Sequence, residues 1–248
     1  MDGRRRAAYL DTLGIDVWRR RSSAGLPVAV AGGSQEVRVL DPQAAEAGCA
    51  APIGIAEPDQ AWAELRAEVA TCTRCTLHRT RTQAVFGVGD LHAQWVVVGE
   101  APGAEEDRQG EPFVGRAGQL LDAMLHAIGL ARGNNVYIAN VLKSRPPGNR
   151  DPRPEEVASC LPYLRRQIEL IGPVLILAVG RIAAHHLLGV TASLASLRGR
   201  VHRFGELNTA VVVTYHPAYL LRTPGDKRKA WEDLKFARSV FRELATRS

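Results

Sequence analysis

Val174-Leu175-Ile176-Leu177-Ala178-Val179-Gly180 is an apolar run with no alternating polar positions. A strand with one wet face alternates, so this one is covered on both faces. Pro154 to Ile171, just before it, has helical periodicity and opens on Pro154 followed by Glu155 and Glu156, residues favoured in a first helical turn. An Ala/Leu-rich helix runs on from the strand to Leu188. The same alternation extends outward in both directions. Upstream lie a helix over Trp62 to Val69, a strand over Gln94 to Gly99, a helix over Ala117 to Ile128 and a strand over Val136 to Val141. Downstream come a strand over Ala210 to Thr214 and a closing helix over Lys227 to Ala245. Buried strands alternating with helices predict a three-layer α/β/α domain around a central, mainly parallel four-stranded sheet, spanning residues 61–248. No internal repeat is visible.

The 248 residues are 46% hydrophobic and 6% aromatic, and 32 Lys+Arg stand against 26 Asp+Glu for a net charge of +6. That is long enough for a full core and too apolar for a wholly disordered chain. No run approaches the ~20 apolar residues of a membrane span. Asp11 and Asp16 interrupt the basic start before a signal-peptide apolar region can form, and four unevenly spaced cysteines do not make a secreted disulfide scaffold. A cytoplasmic location, in a bacterial cytosol at the nucleoid, and a monomer are expected.

Residues 1–21 carry +3, residues 22–60 carry −4, and the remainder +7. A basic folded body favours a polyanion. Residues 22–60, rich in Ala, Gly, Pro and Ser, read as a disordered linker. The basic peptide before them gathers Tyr9, Leu10, Leu13, Ile15, Val17 and Trp18 around Gly14, a pattern suited to folding on a partner. It resembles the N-terminal peptide of the psi subunit of bacterial DNA polymerase III, and the resemblance implies the chi subunit as its partner.

In open parallel sheets ligands bind beyond the carboxyl ends of the strands. Those ends carry Gly99-Glu100-Ala101-Pro102-Gly103, Asn140 with Lys143 to Arg150, and Tyr215-His216-Pro217-Ala218-Tyr219. Polar residues after one strand mean little; a carboxylate, an amide and an imidazole on one rim are a candidate site. An Asn side chain pairs a donor with an acceptor. That set matches the O4 acceptor and N3–H donor of a uracil edge and opposes the edge of cytosine, provided hydrogen bonds keep the amide from flipping. Phe113 offers a flat face for a base, a contact worth ~1–3 kcal/mol.

Gly99-Glu100-Ala101-Pro102-Gly103 with Glu106-Asp107, Gly110-Glu111-Pro112-Phe113-Val114-Gly115-Arg116-Ala117-Gly118, Asn140-Val141-Leu142-Lys143, Arg145-Pro146-Pro147-Gly148-Asn149-Arg150 and His216-Pro217-Ala218-Tyr219-Leu220 together resemble the family 4 uracil-DNA glycosylases, from about residue 65 to 240. The resemblance implies hydrolysis of the N-glycosidic bond of deoxyuridine in DNA. It assigns stacking to Phe113, edge recognition to Asn140, a place in the catalytic centre to Glu100 with Glu106 and Asn149 as helpers, and a donor at uracil O2 to His216. A base within a duplex must be flipped out. Arg116, Lys143, Arg145, Arg150, Arg198, Arg200 and Arg222 are the expected phosphate contacts, with Leu197-Arg198-Gly199-Arg200 in a loop that the resemblance directs toward the groove.

Cys72-Thr73-Arg74-Cys75 has a spacing that suits a metal, a cluster or a redox pair, and nearby His78 admits zinc. The resemblance implies a [4Fe–4S] cluster on four cysteines. Cys72, Cys75 and Cys160 match three of them, and Ser144 stands at the fourth position. Serine is a poorer iron ligand than a thiolate. Ligation by Ser144, recruitment of Cys49, and a labile or missing cluster all remain open; a cluster held by three cysteines is the expectation. The rival to an enzyme is a DNA-binding module of weakened catalysis, tethered to replication proteins through residues 1–21. A generic nucleotide-binding enzyme ranks lower, because neither Gly-x-Gly-x-x-Gly nor a Walker Gly-Lys-Ser/Thr occurs.

Overall fold

The computed structural model describes residues 58–246, so residues 1–21, most of the expected linker and Cys49 lie outside the described part. The helices are α1 (Pro58–Thr71), α2 (Ala104–Gln109), α3 (Arg116–Ala127), α4 (Pro154–Ile171), α5 (Arg181–Leu188), α6 (Leu194–Leu197), α7 (Pro217–Arg222) and α8 (Lys227–Ala245). The strands are β1 (Val88–Gly89), β2 (Trp95–Gly99), β3 (Val136–Asn140), β4 (Leu175–Val179), β5 (His202–Phe204) and β6 (Thr209–Thr214). Helix α1 starts at Pro58, inside the stretch read as linker to residue 60.

One six-stranded sheet runs β1-β3-β2-β4-β6-β5. Its four inner strands are the expected parallel ones. Two antiparallel edge strands, β1 on β3 and β5 on β6, extend the expected four-stranded sheet. With two and three residues, they are too short to leave a periodic signature in sequence.

Successive strand residues point to opposite faces, and each face feeds its own core. Val96, Val98, Tyr137, Ile176, Ala178, Val211 and Val213 pack with Leu65, Val69, Leu164, Ile168 and Leu187 of α1, α4 and α5. Trp95, Val97, Ile138, Leu175, Leu177 and Val212 pack with Leu121, Leu125, Leu234 and Ala237 of α3 and α8. This double covering is why the strands carry no polar alternation. Strand β2 pairs with β3 on one side and β4 on the other, so the chain reverses its direction of travel across the sheet there, and a crevice opens at the strands' carboxyl ends. Register sets Gly99 beside Asn140 and Val179 beside Thr214, which brings the loops after β2, β3 and β6 to that crevice.

Candidate active site

Strand β2 ends on a glycine because two side chains occupy the space a third would need. A methyl on Gly99 would stand 2.4 Å from Asn140 Oδ1 and 2.5 Å from Phe113 Cζ. Asn140, at the last position of β3, is 2% exposed, and its Oδ1 is buried with no hydrogen-bond partner in the protein. Buried acceptors are nearly always paired, so this one awaits a donor from a ligand. Of the hydrogen bonds expected to keep the amide from flipping, none reaches Oδ1 among the described residues; the amide is crowded over Gly99 beside the Phe113 ring.

Phe113 is buried and has φ = 56°, the left-handed region. A bulky side chain pays roughly 1–3 kcal/mol to stay there, so its surroundings must impose it. Glu106 of α2 does part of this: its Oε1 accepts from the N–H groups of Val114 and Gly115 at 3.0 and 3.1 Å, and its Oε2 accepts from Gly103 N–H at 3.1 Å. Glu106 therefore ties the loop after β2 to the loop that carries Phe113. The Phe113 ring lies 5.7 Å from the His216 ring, their planes 31° apart.

His216 follows β6 and precedes Pro217, which opens α7. Its Nδ1 accepts from Ala218 N–H at 3.1 Å, so in the neutral ring the proton sits on Nε2 and that atom is a donor. Burial pulls the ring down to about 4, helped by the positive charge of Arg222 and opposed by Glu106, so His216 is neutral at physiological pH. Capping the helix and presenting a donor are thus done by opposite edges of one ring. Glu100, at the end of the loop's first step from β2, is moved the other way. Burial, then the like charge of Asp151, raises it to about 7 against the pull of Arg181, leaving it part-ionised near neutrality.

These groups share a cavity of about 420 Å³, lined among others by Glu100, Glu106, Phe113, Asn140, Asn149, His216 and Arg222. All of the expected catalytic and base-contacting residues are therefore brought together. Asn149 adopts φ = 54° and its Oδ1 accepts from Arg145 Nε at 2.7 Å. One lining residue, Asp151, lies outside every motif of the sequence. Asp151 matters through its charge on Glu100.

The expected phosphate contacts divide. Arg116, Arg200 and Arg222 are exposed. Arg145 is held by Asn149, and Arg150 makes a fork with the buried carboxylate of Glu156 at 2.6 and 2.9 Å while still lining the cavity. Lys143 is a correction: it is 1% exposed, and its Nζ donates to Asn140 O at 3.0 Å and Gln167 Oε1 at 2.7 Å, so it braces the turn behind Asn140. Burial lowers its pKa to about 7. Arg198 is a second correction. Its Nε donates to Asp233 at 2.7 Å, Nη2 to Lys229 O at 2.8 Å and Nη1 to Tyr215 Oη at 3.3 Å, anchoring the loop's base to α8. Arg200, two residues on, keeps its exposure.

Cys160 is buried, with Cys72 and Cys75 packed against the same core and close enough to act on it electrostatically. Ser144 is buried too, and its hydroxyl accepts from Arg81 Nη1 at 2.9 Å. No group of three or more His, Cys, Asp or Glu among the described residues could hold a metal ion. His78 Nδ1 is engaged with Cys75 O at 2.6 Å, which leaves Nε2 as its free nitrogen, but no metal-holding group that includes this ring is found among the described residues. The donor chemistry of three thiols suits an iron–sulfur cluster, and the Ser144 corner, a hydroxyl engaged by Arg81, suits it less well.

An orphaned amide acceptor, a neutral imidazole donor and a half-ionised carboxylate around one aromatic face, at the carboxyl rim of a parallel sheet, define an enzyme site for a small planar polar ring. The family model for the uracil DNA glycosylase superfamily matches residues 86–235. The chain belongs to that superfamily and, within it, to the type-4 uracil-DNA glycosylases. It is 46% identical over 175 residues to the type-4 uracil-DNA glycosylase of Archaeoglobus fulgidus, covering 68% of this chain and 87% of the relative. The corresponding enzyme of Thermotoga maritima is 44% identical over 179 residues, covering 71% and 92%. That of Pyrobaculum aerophilum is 42% identical over 172 residues, covering 67% and 87%.

Proposed function

We propose that this chain excises uracil from DNA, hydrolysing the N-glycosidic bond of an extruded deoxyuridine to leave an abasic site and so initiating base excision repair. The observation that carries this is the meeting of the orphaned Asn140 acceptor and the neutral His216 Nε2–H beside the Phe113 face in one cavity. The ring stacks on Phe113, Asn140 Oδ1 accepts from N3–H, and Asn140 Nδ2 donates to O4. As the N1–C1′ bond breaks, its electron pair goes to the uracil and positive charge develops on the sugar. The Nε2–H of His216, aimed at O2, stabilises the anion, and ionised Glu100 stabilises the cation. Water adds its oxygen to C1′, and its released proton neutralises the uracil anion. Glu106 acts by holding the Phe113 loop, and Asn149 lines the cavity.

The test is a uracil-containing oligonucleotide incubated with the protein and then treated with alkali. Wild type cleaves; His216→Ala and Asn140→Ala each lose roughly 10²–10³-fold, the usual cost of a donor aimed at developing charge. No cleavage by wild type sinks the reading in favour of a DNA-binding module, and equal cleavage by all three sinks the assignment of residues.

The same reading includes a [4Fe–4S] cluster held by the thiolates of Cys72, Cys75 and Cys160, with Ser144 at the fourth position. When bound it supplies a structural cross-link between the Cys72–Cys75 loop and α4, and no step of the hydrolysis runs through it. Anaerobically purified protein then shows broad visible absorbance; an iron-free, colourless sample overturns this. It also places residues 1–21 on the chi subunit of DNA polymerase III, within a bacterial cytosol, and failure of a 1–25 peptide to bind chi removes that part. Among the described residues no helix is long and apolar enough to cross a membrane.

A further inference from the structure

The strained backbone of Phe113 is held on its far side by a residue that never reaches the cavity. Arg132 lies in the connection between α3 and β3, the strand that ends on Asn140. Its Nη1 donates to Pro112 O at 2.9 Å and its Nη2 to Phe113 O at 2.7 Å, so one planar fork grips two successive carbonyls. Its Nε donates to Asp122 Oδ1 of α3 at 3.2 Å, which fixes the plane of the fork. Helix α3 closes the remaining side: a methyl on Gly118 would stand 1.7 Å from Phe113 O, so that carbonyl is wedged between the bare backbone of α3 and the guanidinium. Glu106 takes the two N–H groups that follow, so the Phe113–Val114 peptide unit is gripped at both its carbonyl and its N–H.

We propose that Arg132 is a positioning residue for base recognition: by holding the Pro112 and Phe113 carbonyls it fixes the Phe113 ring as the stacking face beside Asn140. Lysine cannot replace it, since a single ammonium lacks the fixed pair of donors that two adjacent carbonyls require. Without the fork, Phe113 relaxes toward ordinary φ values and its ring leaves the space over Gly99. The Asp122 contact serves the arginine, and the arginine serves the ring.

This inference rests on the uracil-excision reading, and the experiment separates the two. Wild type, Arg132→Met and Arg132→Lys are compared in three measurements: binding of free uracil by ligand-observed NMR, affinity for DNA carrying a tetrahydrofuran abasic analogue, and thermal melting. Arg132→Met weakens free-uracil binding about tenfold while abasic-site affinity stays within twofold, because only the base touches Phe113. Arg132→Lys recovers melting temperature but not uracil binding. Should Arg132→Met fail to fold, Arg132→Lys alone carries the comparison. Undiminished uracil binding in either variant overturns the proposal. So does a parallel fall in uracil and abasic-site affinity, which marks a general loosening of the fold. Absence of excision by wild type counts against the proposed function and leaves these binding comparisons to judge Arg132 separately.

Discussion

Glu100 and His216 face the same cavity, and burial drives both toward their neutral forms, the carboxyl up to about 7 and the imidazole down to about 4. Only one of these titrations falls in the working range. On the proposed mechanism the ionised carboxylate is the active form of Glu100, so single-turnover excision rises about tenfold per pH unit below a midpoint at or above 7 and levels off beyond it. DNA phosphates move that midpoint upward. In Glu100→Gln the limb disappears, and the remaining rate is flat between pH 5 and 8 because His216 stays neutral throughout. A limb that survives in Glu100→Gln assigns the titration elsewhere. Gly99→Ala tests the crowding directly: its methyl displaces the Asn140 amide or the Phe113 ring, and a misplacement of that size costs roughly 10²-fold in rate. An undiminished rate in that variant shows that neither side chain needs its present position. Glu100, Asn140 and His216 were legible as chemistry at the ends of strands. The protonation states of Glu100 and His216 were not, because burial and neighbouring charge are properties of the assembled site.

At the scale of elements, the turn between β3 and α4 shows why a basic residue near a DNA-binding site is not thereby a DNA contact. Lys143 sits three residues beyond Asn140, and β3 is buried along its whole length, so the side chain turns inward to Gln167, which in turn donates to Phe86 O and Tyr137 Oη. Lys143→Met strips the donor from two buried acceptors at about 1–3 kcal/mol each, read as a lower urea midpoint. The salt dependence of its DNA affinity is unchanged. The sign of the pH effect follows from the lowered pKa. Between about 7 and the ordinary 10.5 the unfolded chain holds a proton that the folded chain lacks, so wild-type stability climbs with pH over that window. Below 7 the ammonium is charged in both states and the slope vanishes. The Met variant has no such climb; an identical climb in both proteins excludes Lys143 as its source. The short strands β1 and β5 belong to this scale too, since their existence depends on a neighbouring strand and not on a pattern of their own.

For the whole molecule, net charge indicated a polyanion but not which cations meet it. Arg116, Arg200 and Arg222 are exposed, whereas Arg198 is spent on Asp233 and Lys143 on the core. Replacing any of the three exposed arginines by Gln reduces the slope of log K against log salt by about 1, the signature of one lost phosphate contact. Arg198→Gln instead lowers thermal stability, through the buried Asp233 it leaves unpaired. Unaltered slopes for all three exposed positions displace the DNA path to another face.

By itself the sequence determined the order of strands and helices, because apolar runs and helical periods are local patterns. It also determined the residues that end the strands, and with them the family. The tertiary structure decided the strand order, the register that sets Gly99 beside Asn140, and the inward turn of Lys143. It alone brought Arg132 to Phe113 across 19 residues of chain. Those facts depend on which distant segments pack together, and packing fixes burial, ionisation and strain only once the whole fold has closed around the site.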